Sequence, residues 1–158
     1  MKAIHSMIAA FGLAFVLPAP ADAAVGDPEV IIYRFPGVRD DGGGLHVGIA
    51  TVFHCTNFSG VPENIRFATR NTTNSLVSNA IFPIAHLATI TIVTHFVLSF
   101  TGIGTVAQGV SIDSGTTAIA ATSTNIICTA MIVDAANPKP DGVALRGIRF
   151  SPIAGSQE

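Results

Sequence analysis

Beyond an apolar N-terminal run, the chain lacks the three-to-four-residue spacing of an amphipathic helix. Its large apolar residues instead recur at every second position over short stretches, which is the period of half-buried strands. "EVIIYRF" (29–35) opens the series, and "PGVRDDGGG" after it reads as a turn-rich loop. "LHVGIATVFHC" puts Val47, Ile49, Phe53 and Cys55 on one face and His46, Gly48, Ala50, Val52 and His54 on the other. "NIRFATR" alternates Ile65, Phe67 and Thr69 against Arg66, Ala68 and Arg70. "LVSNAIFPI" reads as an edge strand, because Pro83 cannot donate to a ladder on both sides.

The second half continues in the same way. "ATITIVTHFVLSF" predicts one long strand with Ile90, Ile92, Phe96, Leu98 and Phe100 on a common face. "IGTVAQGVSI" and "TTAIAATS" are two shorter segments around a "DSG" turn, and "NPKPDG" turns "NIICTAMIV" into "VALRGIRF". About eight short strands, with turns roughly every 8–12 residues, predict an all-β fold: an immunoglobulin-like Greek-key β-sandwich, with a closed barrel as the alternative.

One strand carries more apolar residues than a two-layer sandwich requires. In "NIICTAMIV" the core-directed set is Ile126, Cys128, Ala130 and Ile132; Ile127, Thr129, Met131 and Val133 point away. Solvent-facing positions of a sandwich are normally polar, so Ile127, Met131 and Val133 need a cover. Either a neighbouring loop or the N-terminal segment supplies it, or these residues form a binding face for a ligand or another subunit.

The N-terminus changes the setting. Lys2 precedes the apolar run Met7 to Leu17, and "PAPADA" ends in Ala21-Asp22-Ala23. This is the three-part pattern of a secretory signal peptide (1–23), with cleavage expected after Ala23 and a single domain over 24–158. A retained anchor is the alternative. No later stretch reaches the about 18 consecutive apolar residues of a membrane span. Without Lys2 and Asp22, seven basic residues face nine acidic ones, a net charge of −2. The basic residues are scattered, which argues against nucleic acid and anionic membranes as partners. The expected location is periplasmic or extracellular.

Export also bears on Cys55 and Cys128, the two cysteines of the chain. In an oxidising compartment an even pair usually closes on itself, so a disulfide Cys55–Cys128 is expected, with two buried thiols as the alternative. They lie in the second and the next-to-last predicted strands, positions that immunoglobulin domains join across their core. The chain has no tryptophan, so the likeness to that fold is one of layout.

"ATVFHCTNFSG", "SNAIFPIAHLATITIVTH" and "ATSTNIICTAMIVDAANPKPDGVALRGIRFSPI" resemble secreted bacterial β-sandwich proteins, most specifically in the Cys-Thr-Asn and Asn-x-x-Cys-x-Ala frames. The resemblance implies a disulfide-bonded sandwich outside the cytoplasm. It carries no activity and no catalytic residues.

Motifs with chemistry are sparse. "GIGTVA" (102–107) fits the dinucleotide fingerprint in letters, but a strand and a turn come after it where that motif needs a helix. His46 and His54 are about 27 Å apart along an extended strand, and His54, His86 and His95 would meet only if three strands brought them together. Asp40, Asp41 and Asp113 sit beside glycines, where turn chemistry accounts for them more simply than calcium does. No nucleophile elbow, paired carboxylates or metal-ligand spacing appears, so no catalytic residue, metal site or cofactor is assigned. The expectation is a small exported, non-catalytic binding or structural module acting on a protein or surface ligand, with oligomerisation through the apolar face as one form. A secreted hydrolase or metal-dependent enzyme with a dispersed site is the alternative.

Overall fold

The computed structural model describes residues 30–101 and 104–150; the expected signal peptide lies outside them. Ten strands and no helix make up the described residues. In chain order they are β1 (Val30–Asp41), β2 (Ile49–Asn57), β3 (Glu63–Arg70), β4 (Leu76–Ile84), β5 (Thr89–Val93), β6 (Gly104–Thr105), β7 (Ser111–Ala121), β8 (Ile126–Asp134), β9 (Gly142–Leu145) and β10 (Ile148–Arg149). They form two five-stranded sheets, ordered β10-β1-β7-β3-β4 and β6-β5-β2-β8-β9. All pairings are antiparallel except β5 with β6.

Alternation along the strands builds the core between the sheets. Ile65 and Phe67 of β3, Ile112 and Ile119 of β7, and Phe35 of β1 meet Phe53 of β2 and Ile126 and Ala130 of β8. Phe53 stands between Phe35 (5.7 Å) and Phe67 (5.6 Å) of the opposite sheet, the spacing of favourable ring pairs. Pro83 lies on the edge strand β4, where its missing N–H breaks no second ladder.

Cys55 and Cys128 form the disulfide. It does not cross the core: the two residues are direct partners on neighbouring strands β2 and β8 of one sheet, with Cα atoms 4.2 Å apart. That short distance matches a non-hydrogen-bonded antiparallel pair. The immunoglobulin-type placement expected from strand number is thereby corrected, since strand number does not say which strands share a sheet.

Three local expectations are also corrected. β1 does not end at Phe35 but continues through Pro36 and Gly37 to Asp41, with register shifts against β7 on either side of Val38. β10 pairs only with Tyr33 and Arg34, so Pro36 lies where β1 has no partner on that side. "DSG" is an irregularity within β7 and not a turn between strands. Gly115 allows this, because a Cβ there would lie 2.3 Å from the Arg70 carbonyl oxygen. The long strand predicted to reach Phe100 stops at Val93.

The chain beyond Val93 accounts for the surplus of apolar residues. The segment 94–100 crosses the outer face of the second sheet and packs Val97 and Phe100 over Ala50, Val52, Val93, Val133 and Ala135. Both faces of β2 and β8 are therefore buried over part of their length.

Candidate functional site

Two regions bring polar or exposed apolar groups together, one at each end of the sandwich. At the first, β1 ends in Asp40-Asp41 and "GGGLHVG" (42–48) leads into β2. Both carboxylates close this loop. Asp40 accepts from the Gly42 N–H (2.7 Å), and Asp41 accepts from the N–H groups of Gly43 (3.2 Å) and Ile49 (2.9 Å). Gly48 has φ 78°, and a Cβ there would lie 1.6 Å from the Asp41 carboxylate. Only glycine fits.

His95, at the start of the covering segment, is buried against the same residues. Its Nδ1 lies 2.8 Å from Asp40 Oδ2 and its Nε2 lies 3.0 Å from the Val47 carbonyl oxygen. A carbonyl only accepts, so Nε2 carries a proton and donates it. The contact between Nδ1 and Oδ2 holds a second proton, giving an imidazolium–carboxylate pair or its tautomer. Asp40, Asp41 and His95 are the one group of three metal-ligating side chains among the described residues, with ligand atoms within 4.8 Å of one another. Both ring nitrogens and all four carboxylate oxygens of this group are already hydrogen-bonded or paired within the loop. Asp113 lines a cavity of about 210 Å³ with Asp40 and Asp41. The fold thus gathers all three aspartates named in the sequence.

The other histidines are dispersed. His54 faces outward from β2, with Nδ1 3.0 Å from Thr91 Oγ1 and its ring edge-on to Phe100. Burial there lowers its pKa below the usual 6.5, because the charged form loses solvation. His86 Nδ1 accepts the Gly60 N–H at 3.0 Å.

The opposite end is built around Asn57, the last residue of β2, which is buried. Its Nδ2 donates to the carbonyls of Val61 (2.7 Å) and Ile84 (3.1 Å), and its Oδ1 accepts from the Ser59 N–H (2.8 Å). Its backbone exchanges hydrogen bonds with Leu87 and Ala88. Asn57 thereby ties the β2–β3 loop to the end of β4 through its side chain and to the β4–β5 loop through its backbone, while the Phe58 N–H donates to the Asn125 carbonyl of the β7–β8 loop.

Those loops display apolar residues to solvent: Phe58 is 51% exposed, Val61 56% and Leu87 64%. Leu87 has φ 60° in a turn closed by the Ala88 N–H donating to the Ala85 carbonyl. This is the position of a type II turn that glycine or asparagine normally fills. Leucine keeps most of its side chain in solvent there.

The predicted binding face is divided by the fold. Val133 is 3% exposed beneath the covering segment, Met131 is half-buried against the same cluster, and Ile127 remains 49% exposed. Only Ile127 and part of Met131 therefore remain of that face. The loop-tip residues were not singled out in the sequence, where Leu87 is one apolar residue among many. The signal available was Asn57, a polar residue ending an apolar strand. No family model matches the chain, and no curated protein or solved structure is significantly similar to it.

Proposed function

We propose that the chain is a small exported, non-catalytic binding module, related to the secreted bacterial sandwiches that its cysteine frames resemble. It engages a protein or surface ligand through Phe58, Val61 and Leu87. One observation carries this reading: Leu87 occupies a left-handed turn position with its side chain in solvent. A leucine in that conformation costs on the order of 1 kcal/mol, and a side chain left mostly in solvent offsets little of that cost. Such strain is expected where a side chain is kept for what it meets outside the molecule. The hydrolase or metal-enzyme alternative has less support, because the polar cluster it would use spends its groups on closing the β1–β2 loop.

The test combines stability with binding. Leu87→Asn should leave the fold intact and raise its stability by up to about 1 kcal/mol in urea unfolding, since asparagine tolerates the left-handed region. The same substitution, and separately Phe58→Ser, should abolish capture of the native partner from an envelope fraction of the source cell. If Leu87→Asn destabilises the protein and leaves capture unchanged, the residue serves the fold and the reading fails. Mass analysis of the protein from its native host should show a chain beginning at Ala24.

A further inference from the structure

The turn that carries Leu87 also carries a titratable group. His86 and Leu87 are its two central residues, between Ala85 and Ala88. Among the described residues, three hydrogen bonds join this turn to the end of β2 and the loop after it. Two are made by the Asn57 backbone, with Leu87 and Ala88, and involve groups that do not titrate. The third runs from the Gly60 N–H to His86 Nδ1 over 3.0 Å. An amide N–H only donates, so Nδ1 holds a bare lone pair and the ring proton sits on Nε2. This bond exists for the neutral ring alone. Protonation turns Nδ1 into a second donor aimed at the Gly60 N–H, and the link is lost.

The rest of this surface carries little charge. Residues 58–62, 85–88 and 122–125 include no acidic or basic side chain besides His86. At their margin Glu63 opens β3 opposite Ile84 and accepts from Thr122 Oγ1, and Arg149 of β10 donates to the Thr124 carbonyl (3.0 Å). Both are engaged with the β7–β8 loop. The Gly60–His86 bond is therefore the point at which proton uptake reaches the link between the two loops.

Two consequences of that uptake have the same sign. Loss of the Gly60 bond loosens the loop that carries Phe58 and Val61 from the turn that carries Leu87. A positive charge also arises one residue from Leu87, on a surface that an apolar partner dehydrates, and burying an unpaired charge is costly. We propose, on the basis of the loop-tip docking described above, that His86 is a pH latch. Neutral, it holds the apolar tips in one docking surface; protonated, it releases the partner.

NMR of the full mature chain, with no partner present, tests the latch itself. In a pH titration the Gly60 amide shift should follow the His86 ring with the same midpoint. The ring nitrogen shifts of His86 should show the Nε2–H tautomer above that midpoint. Capture from the envelope fraction tests the release. It should fall at least about fivefold between about pH 7.5 and about pH 5.5, since the net value of one hydrogen bond corresponds to about that factor and histidine changes charge in this range. His86→Gln keeps an acceptor for Gly60 without a titrating proton, and should capture equally at both pH values. The proposal is overturned if Gly60 does not follow His86, if the parent captures equally at both pH values, or if His86→Gln loses capture in acid as the parent does. Capture absent at every pH while Gly60 still follows His86 would overturn the loop-tip docking, and the release with it, and would leave the coupling of the two loops established.

Discussion

The titration of His54 is displaced, and the direction of that displacement fixes a pH dependence. Burial beside Thr91 and Phe100 disfavours the imidazolium, so the folded protein releases this proton at lower pH than the unfolded chain. Between the lowered folded pKa and the ordinary 6.5, the unfolded state binds more protons. Stability from this residue is therefore complete above 6.5 and is lost as the pH falls through that window. Urea unfolding across the window should show stability falling with acidity. His54→Gln should reduce that slope; an unchanged slope would assign the acid sensitivity to other groups.

One buried pair anchors the start of the segment after β5. Asp40 lies near the end of β1 and His95 near the start of the cover over β2 and β8, so their contact joins the two sheets at one end of the sandwich. The Leu98 N–H donating to Ala135 and the Thr94 N–H donating to Thr51 fix the remainder of the segment. Removing the imidazole leaves a buried carboxylate without its partner, a change that typically costs about 3–5 kcal/mol. His95→Ala should lower the urea midpoint by a corresponding amount. Adding Asp40→Ala to it should cost less than the two single losses together. Additive losses in that double-mutant cycle would mean that the pair does not act as a unit.

For the molecule as a whole, the disulfide is the constraint of longest range. It closes a separation of 73 residues between neighbouring strands, and Cys55 lies fully inside the core. Restricting a loop of that length in the unfolded chain contributes about 4 kcal/mol in the chain-entropy model, an upper value where the unfolded chain keeps residual structure. Replacing both cysteines by alanine should cost about 2–4 kcal/mol in urea unfolding while the strand pairing persists. Alkylation of the native protein without reductant should modify neither cysteine.

The sequence by itself determined what depends on near neighbours along the chain. The inward sets of β3 and most of β8 come from alternation, because a strand that buries one face must repeat its apolar residues every second position. Pro83 marked an edge because its ring removes a donor, and a lone pair of cysteines behind an N-terminus that reads as an export signal pointed to a bond between them. Tertiary structure decided whatever depends on strand order. Cys55 and Cys128 proved to be neighbours in one sheet, and Val133 was covered by residues more than thirty positions away. Asp40 met His95 across 55 residues. Arg34 came to the same face as Arg66 and Arg70, although the basic residues are scattered along the sequence. Leu87 also belongs here, since its exposure results from Asn57 pinning two loops. A one-dimensional pattern states which face each side chain takes; which strands lie side by side is set by long-range pairing, and that pairing built both ends of the sandwich.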